Sequence, residues 1–121
     1  MRTRISTPPQ WAVAGIIIAE LLACTLWFSV NAVAGGIEQA FGLSTAEMGS
    51  ITAAVQVGFI SGTLILGLTG LADRVPASRI MALATLLGAI LNLAFVWLVD
   101  GLVSAILVRF LIGMCLAGIY P

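Results

Sequence analysis

The ten residues Gly70-Leu-Ala-Asp-Arg-Val-Pro-Ala-Ser-Arg79 decide how this chain is read. They form its only dense cluster of charge: Asp73, Arg74 and Arg79 are three of the ten charged residues in 121. An apolar run lies on either side, about Ala46–Leu68 before the cluster and about Arg79–Val99 after it. Two more runs complete the chain, Trp11 to about Val33 and about Leu102 to Pro121. Each is close to the ~20 residues that cross a hydrocarbon core of roughly 30 Å. In lipid, backbone groups must be bonded within the segment or around a closed barrel. These runs are too long and too uniformly apolar for barrel strands of about ten alternating residues. The expected fold class is therefore an all-α integral membrane protein with four transmembrane helices. They lie at about 11–33, 46–68, 79–99 and 102–121, after a polar tail over 1–10.

Composition narrows the function. The chain is 61% hydrophobic and 8% charged, against about 25% charged in soluble domains, so it cannot cover a water-facing surface. Net charge is zero, which leaves no basic patch for nucleic acid. There is no histidine and no lysine, so the common routes to general-base catalysis and zinc binding are missing. No Gly-rich phosphate cradle or Ser/His/Asp set is present. An enzyme is not expected, nor a metal or other cofactor. Cys24 and Cys115 both lie inside apolar runs and read as small apolar side chains.

Local signals set the connections. Pro8-Pro9 closes the tail. A basic start, an apolar stretch and Ala32-Val33-Ala34 resemble a cleaved signal peptide, but the run exceeds the usual core of about 7–15 residues and contains Glu20. Gly35–Leu43 reads as a turn-rich connection. Ser44-Thr-Ala-Glu47 has the capping-box pattern and starts the second run. Pro76 suits a helix's first turn, and Asp100-Gly101 a tight break.

The arginines orient the spans. Arg2 and Arg4 precede the first run, Arg74 and Arg79 lie between the second and third, and the other connections carry only Glu38, Glu47 and Asp100. Arginine is retained on the cytoplasmic side. The expectation is an N-terminus and a 2–3 loop inside, with the 1–2 and 3–4 connections outside.

Four polar residues, Glu20, Gln56, Asn92 and Arg109, fall inside the spans. At 1.5 Å per residue, their depths from the cytoplasmic edge come to about 13, 15, 18 and 20 Å. All four are expected around the midplane, where secondary transporters hold substrate and coupling ions. Glu20, Cys24, Trp27 and Asn31 share one helical face, and Gly15, Ala19 and Ala23 form a small-residue stripe beside it. Thr52, Gln56 and Thr63 share a face of the second span, beside Gly58-x-x-x-Gly62. A charge near the bilayer centre costs at least about 2.5–3.5 kcal/mol. The depth offset of Glu20 and Arg109, about 6–7 Å, allows them to pair. Such a pair is either a stabilising contact or a proton- or substrate-responsive site. A Glu20 that lost its partner would take up a proton.

The stretch around Gly70–Arg79 resembles the loop 2–3 signature of the major facilitator superfamily, Gly-x-x-x-Asp-Arg/Lys-x-Gly followed by basic residues. Leu71, Asp73, Arg74 and Arg79 match their positions. Thr69 stands where the first glycine belongs, Pro76 replaces the second, and Ser78 takes the middle basic position. Arg109-Phe-Leu-Ile-Gly113 is similar to that family's helix 4 motif. Leu26-Trp27-Phe28-Ser29 and Ala117-Gly118-Ile119-Tyr120-Pro121 also resemble bacterial members. The resemblance implies a bacterial inner-membrane secondary transporter that moves a small solute by alternating access, with a possible proton coupling. The chain would be an N-terminal fragment comprising its first four spans. Asp73, Arg74 and Arg79 would form a gating latch against helices outside this chain. Glu20, Asn31, Gln56, Asn92 and Arg109 are the substrate- or proton-binding candidates. The implied partners are the lipid bilayer, the solute and the remaining transporter helices. Two alternatives stand beside this: a complete four-helix transporter of the small multidrug-resistance type working as a dimer, which Ala19-Glu20 resembles, and a non-transporting membrane subunit.

Overall fold

The computed structural model describes residues 7–120, so the tail arginines Arg2 and Arg4 and the terminal Pro121 lie outside the described residues. The elements in order are α1 (Gln10–Ala32), α2 (Ala34–Phe41), α3 (Thr45–Thr69), α4 (Leu71–Arg74), α5 (Ala77–Leu98) and α6 (Leu102–Ile119). Helices α1, α3, α5 and α6, of 23, 25, 22 and 18 residues, are each long and apolar enough to cross a membrane. The chain is an all-helical, multi-pass membrane protein.

Local chemistry sets the ends. The carbonyl of Pro9 accepts from the Ala12 and Val13 amides and launches α1. The capping box forms as the pattern requires: Ser44 Oγ accepts from the Glu47 amide at 3.2 Å, and Glu47 Oε2 accepts from the Ser44 amide at 2.8 Å. Gly70, at φ 61°, ends α3 in the left-handed region that a side chain resists. Pro76 caps α5, its carbonyl accepting from the Arg79 amide at 2.9 Å. At the last break Ser104 Oγ accepts from the Asp100 and Gly101 amides and donates to Asp100 Oδ1 at 2.6 Å.

One connection differs from its sequence reading. Gly35–Leu43, expected as turns, is mostly the helix α2, separated from α1 only by Val33 and closed by Gly42 at φ 62°. Gly35 and Gly36 each weaken a helix by about 1 kcal/mol. Tertiary contact outweighs them here, because Ala34, Ile37 and Leu43 pack against the buried core.

Helix α6 is the axis of the bundle. It carries more buried residues than any other helix, and it lies between α3 and α5. Ile51 and Val55 of α3 and Ile112 and Leu116 of α6, all 0% exposed, belong to one buried cluster. The α3–α6 contact is backbone on backbone. A Cβ at Gly58 would lie 2.0 Å from the Phe110 carbonyl oxygen, and one at Gly113 would lie 2.1 Å from that of Val55. Gly118 makes room for the Ala84 and Ile80 side chains of α5. Helix α1 packs more loosely, burying only Ala23, Leu26 and Val30. The expected small-residue stripe on α1 is therefore used only in part. Ala23 is buried, but a Cβ at Gly15 would meet nothing within 4 Å. Large apolar side chains such as Ile17, Leu22, Leu86 and Val96 face outward, as hydrocarbon surroundings permit.

Candidate functional site

Polar groups of α3, α5 and α6 reach α1. Their pairings give the relative directions of the helices. Asn31, near the end of α1, accepts at Oδ1 from Thr52 Oγ1, near the start of α3, at 3.0 Å. Ser29 Oγ donates to Asn92 Oδ1 of α5 at 2.7 Å, late in both helices. Tyr120, just past α6, reaches Glu20 at the middle of α1, while Arg109, mid-way along α6, reaches Leu26 and Trp27 further on. So α1 and α5 run one way and α3 and α6 the other. The end of the bundle where α1 begins is called proximal below, and the opposite end distal.

Arg109 is the centre of the arrangement. Its side chain is 0% exposed. Nη1 donates to the Leu26 carbonyl at 2.9 Å and Nη2 to the Trp27 carbonyl at 2.6 Å, while Nε has no hydrogen-bond partner. A carbonyl oxygen already used in a helix keeps a second lone pair, which is what the guanidinium takes. Hydrogen bonds to a charged group are worth about 1.5–3 kcal/mol each, against a desolvation cost of several kcal/mol for the buried ion. Trp27 is fixed in turn by an edge-on contact with Phe59 of α3, ring centroids 5.3 Å apart.

The expected Glu20–Arg109 pair is not formed. The bonds of Arg109 go to carbonyls six and seven residues beyond Glu20, about 9–10 Å further along α1. The reason is directional. Each Cα–Cβ bond tilts toward the N-terminus of its own helix. For Glu20 that is the proximal end, and for Arg109 in the antiparallel α6 it is the distal end. Depths of Cα atoms placed the two residues within reach, but their side chains lean apart. Glu20 is half-buried, and its Oε2 is buried without a partner.

Around Glu20 the structure assembles residues far apart in sequence. Tyr120 Oη donates to the Glu20 carbonyl at 2.9 Å and lies 3.3 Å from Cys24 Sγ. Tyr120 was not among the sequence candidates. Its signal was present, however: Arg109, Gly113, Leu116 and Tyr120 follow the same i, i+4, i+7, i+11 spacing as Glu20, Cys24, Trp27 and Asn31.

The remaining candidates do not gather on one cavity. Asn92 and Ser29 border a cleft of about 320 Å³ walled by Val33, Ile37 and Phe95. Gln56 is exposed on α3, on the face it shares with Thr52 and Thr63. Asn31 is exposed beside its Thr52 bond. Asp73 and Arg74 lie in α4 and Arg79 in the first turn of α5, all exposed at the proximal end. Among the described residues no His/Cys/Asp/Glu group could hold a metal ion. No protein-family model, curated protein or solved structure matches the chain.

Proposed function

We propose that this chain forms part of a secondary transporter of the major facilitator superfamily, supplying the first four spans of its N-terminal half and moving a small solute by alternating access. The observation that carries the reading is the pair of ionisable groups on the α1–α6 contact. Arg109 is wholly buried on backbone carbonyls, and Glu20 keeps a buried carboxylate oxygen without a partner. A helical anchor has no use for two such costly residues. The motif residues around Gly70–Arg79 and Arg109–Gly113 supply the family.

In this reading Glu20 binds the coupling proton, because it is a carboxyl group within a span and its Oε2 is buried without a partner. Arg109 holds α6 to α1 at mid-span and keeps its charge near the proton site. Since its terminal nitrogens are occupied, the solute meets the exposed Asn31 and Gln56 rather than Arg109. Asp73, Arg74 and Arg79 latch the proximal face, which is the cytoplasmic one, and the membrane is the bacterial inner membrane. No catalytic step is involved.

The test uses membrane vesicles from cells expressing the gene, with an imposed proton gradient followed by a pH-sensitive dye. A panel of small organic anions and cations is added in turn. At least one solute is expected to dissipate the gradient with wild-type protein and not with Glu20→Gln. A response unchanged in Glu20→Gln removes the proton role of Glu20, and a panel without any response overturns the transport reading.

A further inference from the structure

A cleft in the distal half of the bundle has walls from three helices. Val33 follows α1, Ile37 and Phe41 belong to α2, and Phe95 and Val96 to α5; together they border about 320 Å³. The two polar residues of the lining, Ser29 and Asn92, are bonded to each other at 2.7 Å. What remains is a surface for hydrocarbon and not for a polar solute. Asn92 lies six residues before the end of α5, which is about 9 Å of helix. The cleft therefore runs from the distal membrane edge into the hydrocarbon, along the helices. A lipid chain enters a bilayer in the same direction.

The rim of this cleft is acidic. Glu38 follows Ile37 on α2, and Asp100 follows Val99, which also lines the cleft. Glu38 is half-buried and Asp100 is exposed, with Oδ1 accepting from Ser104 and the other oxygen left over. No arginine stands in either distal connection. A headgroup of net negative charge is repelled there. A primary ammonium is attracted and can donate a charge-assisted hydrogen bond, whereas a quaternary ammonium has no hydrogen to donate. The groove of Ala53, Val57 and Phe110 differs on both counts. It is walled by α3 and α6 alone, and the acid at its distal end, Glu47, is engaged by Ser44.

We infer that the cleft between α1, α2 and α5 holds an acyl chain of a phospholipid whose headgroup ends in a primary ammonium, and that Glu38 and Asp100 receive that headgroup. The two halves of the lipid make separate demands. Filling the cleft displaces the chain, while neutralising the acids keeps the chain and loses the choice of headgroup. Only a bilayer around the spans is required, so a failed transport assay leaves the lipid site standing.

Nanodiscs that hold the full chain in equal parts of phosphatidylethanolamine, phosphatidylcholine and phosphatidylglycerol test it. Each lipid in turn carries the same photoactivatable acyl chain, and mass spectrometry maps the labelled residues. Ile37 and Phe95, both half-buried, are expected to take more label than the exposed Leu93 and Val103 of the same leaflet. The ethanolamine lipid is expected to label them about two- to fivefold more than either of the others, the range that exposed ion pairs are worth. The double substitution Glu38→Gln and Asp100→Asn is expected to remove that preference and leave the labelled positions unchanged. Val96→Trp, at the exposed mouth of the cleft, is expected to clear the label from Ile37 and Phe95. The inference is overturned if Ile37 and Phe95 take no more label than Leu93 and Val103, as with a further helix seated in the cleft. It is also overturned if the three headgroups label the cleft equally, or if the preference survives the double substitution.

Discussion

Arg109 donates to the backbone carbonyl of Trp27 at 2.6 Å, across the contact between the fourth span and the first. A charged side chain thus spends its strongest interaction on main-chain atoms, although the chain has an acid, Glu20, on the same helix. Glu20 is left outside this cross-link.

Substitutions at Arg109 should separate charge from packing. Arg109→Met fills similar volume and removes a lone buried ion, and with it a desolvation cost of several kcal/mol. Arg109→Lys keeps the charge, but a single ammonium cannot reproduce the planar two-carbonyl fork. Thermal unfolding in detergent, followed by circular dichroism, should show Arg109→Met at or above the wild-type midpoint and Arg109→Lys below it. A midpoint for Arg109→Met well below that of Arg109→Lys would mean that the charge itself holds the helices together.

Glycine substitutions should divide by place. A methyl group at Gly58 or Gly113 would overlap a carbonyl oxygen of the facing helix, so α3 and α6 would have to separate. Gly58→Ala and Gly113→Ala are each expected to cost about 3 kcal/mol or more, beyond ordinary overpacking. Gly15→Ala meets nothing within 4 Å and should stabilise α1 by up to about 1 kcal/mol through helix propensity alone. Denaturation of the three variants in one detergent checks the ranking, and equal effects at all three sites would contradict it.

The charged loop has a backbone requirement of its own. Gly70 sits at φ 61°, where an L side chain is disfavoured by about 1–2 kcal/mol. Gly70→Ala should lower stability by about that amount, while Thr69→Gly, one position earlier and still helical, should cost no more than the usual ~1 kcal/mol of a helical glycine. Unfolding midpoints of the two variants measure this. A larger loss at Thr69 than at Gly70 would show that the loop's turn is made elsewhere.

Several features were legible before any coordinates. Length and apolar content gave four membrane-crossing helices, since lipid leaves the backbone no other economical state. Ser44 and Glu47 announced a helix start because a capping box needs only residues three apart. Gly58-x-x-x-Gly62 announced a close helix contact because its surface is small whichever partner covers it. The helix α2 was hidden. Gly35 and Gly36 argue locally against helix, and only the packing of Ala34, Ile37 and Leu43 reverses that preference. The missing Glu20–Arg109 pair was hidden for another reason. Depth along a helix is one coordinate, whereas side-chain reach depends on helix direction and rotation as well. Tyr120 lay on the right face by spacing, yet nothing local says that its hydroxyl meets a carbonyl 100 residues away.

The residues around Gly70–Arg79 show the same division. Sequence alone determined that this stretch breaks two spans, because a charge cluster cannot remain in hydrocarbon, and that four spans exist. Tertiary structure alone decided which polar groups meet. Arg109 turns to the backbone of α1, Glu20 keeps an unsatisfied oxygen, and Tyr120 closes beside it. Those outcomes depend on the antiparallel setting of α1 and α6 and on the glycine contacts that fix where α6 stands.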